Sequence, residues 1–287
     1  MSSPSTPEKA FFTHLNTGVR KRNLAAFYFI AFMTICLASV INMLQPFMLS
    51  EFLGLPTSAH GVPTGKLALA SELVIIGLVG TYGILSDRMG RRFIYGLGLL
   101  IVGVGFAITP LSRSLETLVL TRCIYAIGAA AITSMLAIVL ADYVVDKDRG
   151  KATGVMGFMN GLGAMFSALL LVKIPSMLTE SGYDAITAGW LTYAGLAVMA
   201  LVSAIVAWTM LSGVRPNRDQ ANTEKPLSFM EGSRVGVAAA KDPGVALSYA
   251  ASFVARPDLA IVALFVPLWI SRFGQDNLGM SVQEAVA

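Results

Sequence analysis

The string Gly83-Ile84-Leu85-Ser86-Asp87-Arg88-Met89-Gly90-Arg91-Arg92 sets one carboxylate and three guanidiniums between two long apolar runs. Charges grouped this way can form exchangeable ion pairs. Asp87 falls at the end of a helix, where the macrodipole is negative. It therefore needs a cation or the N-terminus of another helix as partner. Gly83 and Gly90 allow close backbone approach. Arg88, Arg91 and Arg92 hold the turn at an anionic membrane surface. Four further charges lie inside apolar runs: Glu72, Arg122, Arg256 and Asp258. An arginine in a membrane span costs about 2.5–3.5 kcal/mol on insertion scales and ordinarily faces a cavity or a partner. Glu72 and Arg122 fall at similar depth in two runs of the same direction, which predicts that they approach each other. They form either a structural ion pair or a pair that changes protonation or partner during function. Pro257 breaks its helix between Arg256 and Asp258. That break makes either a binding site or a mutually satisfied pair at a half-helix end.

The elements that position these charges follow from composition. Of 287 residues, 55% are apolar and 13% charged, with a mean hydropathy of +0.68. Soluble domains carry about 25% charged residues, so the expected solvent is the bilayer. The net charge of +4 is the basic excess of membrane loops. No zinc-finger or helix-turn-helix pattern points to nucleic acid. Cys36 and Cys123 sit in apolar runs and read as small core residues. His14 and His60 read as solvated surface residues without a second ligand at metal spacing. No metal or cofactor is called for. Residues 1–23 read as a disordered cytoplasmic tail. The apolar run that follows is too long for a secretory signal and reads as a retained first helix.

Seven spans are expected, at 24–49, 67–85, 93–111, 118–141, 152–172, 185–211 and 244–270. Each must be helical to satisfy its backbone in lipid. With the N-terminus in the cytoplasm, the inside segments 1–23, 86–92, 142–151 and 212–243 hold 15 of the 21 Lys and Arg, and the outside segments hold 4. That asymmetry sets the orientation. The domains are then a tail at 1–23, a six-helix bundle at 24–211, a polar linker at 212–243, and a seventh helix opening an incomplete second bundle at 244–287. Gly154, Gly157, Gly161 and Gly163 in the fifth span read as a close-packing face.

The pattern G-x-x-x-D-R-x-G-R-R between the second and third spans resembles the signature loop of the major facilitator superfamily. Span order, orientation and the long linker after six spans fit that resemblance. It implies an all-α polytopic protein with one six-helix bundle plus one further helix. It implies secondary active transport of a small solute by alternating access, coupled to protons, in the cell (inner or plasma) membrane, with no enzyme activity. Asp87 and the arginines 88, 91 and 92 would latch one bundle to the other. The string Asp146-Lys147-Asp148-Arg149-Gly150-Lys151 looks like the family's acidic-Arg-Gly loop, with Arg149 as partner for Asp87. Arg122 matches the family's helix-4 arginine, although Tyr125 and Ala126 stand where the family often has Gln and Gly. The fifth span lacks the Gly-Pro element of drug–proton antiporters. By resemblance, helices 1, 4 and 7 line the cavity, and helices 3 and 6 face lipid. Glu72, Arg122, Arg256 and Asp258 would serve substrate or proton coupling. The expected partners are a small solute, H+, the lipid bilayer and the missing C-terminal helices, without which the 287-residue chain does not transport. A seven-helix receptor or sensor is the main alternative, but it would place the N-terminus outside. No paired catalytic motif and no filter-like loop supports an enzyme or a channel.

Overall fold

The computed structural model describes residues 8–213 and 229–251, with isolated positions at 269, 273 and 277. The chain divides into two compact units, 1–226 and 227–287. The first unit contains six helical spans long and apolar enough to cross a membrane. The seventh expected span runs largely outside the described residues.

The main helices are α1 (Lys21–Met43), α2 (Gly61–Met89), α3 (Arg91–Ile108), α4 (Leu115–Tyr143), α5 (Arg149–Leu169) and α6 (Ala185–Met210). After α1, Pro46 starts a short helix that passes into a π-turn at Met48–Phe52 and lengthens the first span. Gly90, at φ +99°, reverses the chain between α2 and α3, a conformation that a side chain rarely adopts. Ser114 caps α4, accepting from the Thr117 N–H. Asp184 caps α6, accepting from the Thr187 N–H at 2.9 Å. Hydrogen bonds from Thr187 hold that carboxyl below its ordinary range.

Helices α3 and α4 pack together, as do α3 with α6, α1 with α5, and α2 with α4. Helices α3 and α4 approach closely through glycines on both. A Cβ on Gly128 would lie 2.6 Å from the Gly98 carbonyl oxygen and 2.7 Å from the Val102 nitrogen. The extended small-residue face is therefore on α3 and α4, and α5 contributes a close approach at Gly163 alone, where a Cβ would meet the Phe32 oxygen. Gly154, Gly157 and Gly161 meet nothing within 4 Å, and only Gly163 of that set touches a neighbour, the Phe32 backbone of α1. The expected face on α5 is corrected accordingly. Gly154, Gly157 and Gly161 lie on a surface that the bundle leaves open. The same holds for α2, where Leu69, Leu73 and Ile76 are exposed. Between the helices, buried hydroxyls find partners. Thr34 pairs with the Tyr95 hydroxyl at 2.9 Å, and Ser167 donates to the Cys36 carbonyl at 2.7 Å.

The tail before α1 departs most from the sequence reading. Residues 8–20 are an ordered strap, not a disordered tail. Strands β1 (Lys9–Ala10) and β2 (Thr13–His14) form a two-residue hairpin. Leu15 and Val19 are buried in the core, and their apolar burial repays the ordering of the strap. Asn16 donates its side-chain N–H to the Asp142 carbonyl at 2.9 Å, and Leu15 bridges to Val144. His14 and His60, expected at the solvated surface, are both held. His60 is buried, with Nε2 3.1 Å from the Leu55 carbonyl. His14 Nδ1 lies 2.6 Å from the buried Asp148. Asp148→Asn removes the carboxylate that takes the His14 N–H, the His14 ring and Lys151. The expected outcome is faster proteolysis within 8–20 with the helical core intact, read by limited digestion and mass spectrometry.

The second unit holds a helix, α7 (Phe229–Ala239). After it, the Gly244 N–H donates to Asp242 at 2.8 Å and starts a further helical stretch.

Candidate functional site

Two groups of polar residues stand out. The first lies at the end of the bundle that carries the 83–92 string. Gly83 is inside α2 and accepts from the Ser86 hydroxyl at 2.7 Å, so the turn is made by Gly90 alone. Nothing lies within 4 Å of the Gly83 Cβ position. Arg91, in the first turn of α3, pairs with Asp87 across that turn. Its Nε donates to Asp142 at 2.9 Å, at the end of α4. One guanidinium thereby joins α2, α3 and α4. Arg88 and Arg92 are exposed. Arg149 pairs with Asp146 at 2.8 Å and reaches the Ala141 carbonyl. The expected Asp87–Arg149 pair is not formed here, since each has a partner closer along its own chain segment. Arg91→Ala removes two ion pairs at a half-exposed site and is expected to cost about 1 kcal/mol. Thermal unfolding at low and high salt checks this, with the loss shrinking as salt screens the pairs.

The second group is buried. Arg122 is 8% exposed, two turns into α4. Its Nε donates to the Ser71 hydroxyl of α2 at 3.3 Å. A terminal nitrogen donates to the Asn42 side-chain oxygen of α1. The guanidinium also lies 5.5 Å from the centre of the Tyr125 ring, a cation–π distance. The planar fork can span two helices at once, which a lysine cannot do. Glu72, half-buried, is the next residue along α2 after Ser71. Beside the arginine is a narrow crevice of about 10 Å³, room for one water. Gln45, Thr109, Thr121, Arg122 and Tyr193 line it. The Gln45 side-chain oxygen is buried there without a hydrogen-bond partner. Sequence reasoning found Arg122 but missed Ser71, Asn42 and Gln45. The signal for the amides was present, since Asn42 and Gln45 interrupt the apolar run that begins at Leu24. Arg256 and Asp258 lie outside the described residues.

The model of the Major Facilitator Superfamily matches residues 24–287. The chain belongs to this superfamily. Two curated relatives are magnetosome proteins of Paramagnetospirillum magneticum. MamH is 25% identical over 284 residues, covering 94% of this chain and 60% of MamH. MamZ is 27% identical over 242 residues, covering 81% of this chain and 36% of MamZ. The inward-facing, unoccupied structure of a bacterial homologue of the human lysosomal transporter Spinster superposes with a TM-score of 0.62 at 21% identity. That match covers 94% of this chain and 59% of the homologue. The chain thus spans about 60% or less of the length of each of these three proteins. The superfamily fold and the six described spans make it a multi-pass membrane protein. Within this superfamily member, the 83–92 turn and the buried Arg122 lie toward opposite ends of the same bundle, since Arg91 meets the last turn of α4 and Arg122 the second.

Proposed function

We propose that this chain supplies one jaw of a secondary active carrier that moves a small solute across the cell membrane by alternating access, coupled to protons. The observation that carries this reading is Arg122: a buried guanidinium held by neutral oxygens of two other helices, beside a crevice with an unsatisfied amide. A charge in that setting is costly and is ordinarily kept for function. Glu72, one residue beyond Ser71, is the proposed proton partner, with Arg256 and Asp258 as further coupling residues. The open faces of α2 and α5 would receive a second helical bundle. Gly90, Asp87, Arg88, Arg91, Arg92 and Arg149 would gate the cytoplasmic side, with Arg91 exchanging partners as the jaws move. The N-terminus is then cytoplasmic.

The test reconstitutes the chain together with the further helices that complete a second bundle and traps a pH-sensitive dye inside the vesicles. A panel of small solutes is added outside. The expected result is proton movement evoked by at least one solute class and abolished by Glu72→Gln. Solute movement with no proton signal would leave a carrier that is not proton-coupled. Cysteines placed at 83–92 are expected to react only from the cytoplasmic side, and reaction from outside would overturn the orientation.

A further inference from the structure

The strap ends in an unusual turn. Lys9 pairs with His14 and Ala10 with Thr13, which leaves Phe11 and Phe12 as a two-residue loop. Both are left-handed, at φ +46° and +64°. Such loops favour Asn and Gly, because a side chain is disfavoured in that conformation. Two phenylalanines there must be repaid by their surroundings. Phe11 has a partner: its ring stands edge-on to Tyr28, with centroids 5.4 Å apart. Phe12 is 91% exposed, so no described residue repays it.

The depth of the turn identifies what does. Tyr28 is seven residues into α1, about 10 Å along the axis from Lys21. The Tyr28 hydroxyl lies 3.5 Å from the Ala152 carbonyl in the first turn of α5, so the hairpin tip sits beside the first turns of α1, next to the basic residues at the helix start. Lys9, Arg20, Lys21 and Arg22, in the hairpin and at the start of α1, are all exposed, with Lys21 paired to Glu8 at 3.8 Å. An exposed aromatic tip beside exposed cations is the arrangement that binds an anionic leaflet, with rings at the headgroup–acyl boundary and cations on phosphates. The tip is held rigidly enough for this. Thr13 donates to the Ala10 carbonyl at 2.7 Å inside the hairpin, and the His14 N–H donates to Asp148 at 3.0 Å behind it.

We propose that the Phe11–Phe12 turn is a lipid anchor, with Phe12 inserted into an anionic phospholipid leaflet and Lys9, Arg20, Lys21 and Arg22 on its headgroups. The strap would then link the 142–148 segment, which also holds Arg91, to the membrane surface. The choice of the cytoplasmic leaflet rests on the orientation proposed above, and the insertion itself does not. External labelling of cysteines at 83–92 would end that orientation while leaving the measurement at position 12 intact.

The test uses the full chain in vesicles containing phosphatidylglycerol, with the native protein's tryptophan emission subtracted from that of Phe12→Trp. The expected emission is blue-shifted. It is quenched roughly twofold or more by lipids brominated near the headgroup end of the acyl chain, and only weakly by aqueous acrylamide. Replacing phosphatidylglycerol with phosphatidylcholine is expected to lower the lipid quenching. Quenching by acrylamide alone would place the tip in water and overturn the anchor. Quenching by neither agent would mean that protein covers it, a second bundle or a second copy, and would overturn it equally. Phe12→Asn is the companion variant, because Asn tolerates left-handed backbone. It is expected to keep the hairpin, seen as slow exchange of the Leu15 N–H that donates to Glu8 at 2.9 Å, and to lose the protection of the strap by anionic lipid. Protection that persists in Phe12→Asn would again overturn the proposal.

Discussion

Gly128→Val is expected to cost about 3 kcal/mol, at the upper end for a single change in the bundle. The added Cβ would meet backbone atoms of α3, the Gly98 oxygen at 2.6 Å and the Val102 nitrogen at 2.7 Å. Backbone cannot swing aside as a flexible side chain can, so α3 must move away as a unit. That movement also loosens Gly105, whose own Cβ position is 2.8 Å from the Tyr125 Cα. Overpacking of a tight core costs about 1–3 kcal/mol, occasionally more, and a second β-branch methyl pushes this case to the upper end. Without a hydrophobic drive between helices in lipid, close packing is what such a contact has to offer. Gly128→Ala should cost less than the valine. Gly157→Ala is the control, since nothing lies within 4 Å of that position and alanine favours helix by about 1 kcal/mol. Thermal unfolding in detergent, followed by the reaction of the buried Cys36 thiol, ranks the three. Equal loss from Gly128→Ala and Gly157→Ala would mean that the α3–α4 contact does not limit stability.

The spans were legible because a membrane helix must be apolar over its length and satisfied within itself. The six described spans agree with their expected positions, and all but the last extend past them at one end or both. α2 begins at Gly61 rather than at residue 67, because its first turns, with the exposed Lys66, carry polar groups that water can solvate. The glycine partners were not legible. The spacing in α5 satisfied the small-residue rule, yet which helix receives a small face depends on the rotation of two helices about their axes. Spacing within one helix does not set that rotation. The strap was hidden for a different reason. Its bonds join His14 and Asn16 to residues 142–148, more than a hundred positions away, and its turn carries Phe11-Phe12 where a hairpin ordinarily announces itself with Asn-Gly. At the buried site the charge was readable and its partners were not. A serine or an asparagine in an apolar run can as readily bond its own helix, as Thr109 does with the Gly105 carbonyl.

Arg122→Met combined with Asn42→Leu is expected to raise stability by about 1–4 kcal/mol while abolishing proton-coupled transport by the assembled carrier. A buried charge carries a desolvation cost that its contacts need not recover, and apolar replacements of similar volume are often neutral or stabilising. The single change Arg122→Met is expected to be less favourable, because it strands the Asn42 side-chain oxygen, and a buried acceptor without a partner costs about 1–3 kcal/mol. Ser71 needs no replacement, since its hydroxyl donates to the Leu67 carbonyl at 2.8 Å. Arg122→Lys keeps the charge and loses the fork that spans α1 and α2, so transport should fall while stability changes little. Melting temperatures of the two single variants and the double variant close a cycle, from which the coupling between Arg122 and Asn42 is read directly. Two results would point the other way. A double variant less stable than the native chain would make the arginine a structural tie between helices. Transport that survives in it would remove Arg122 from the coupling site. The opposite signs expected for stability and transport separate a charge kept for function from one kept for the fold.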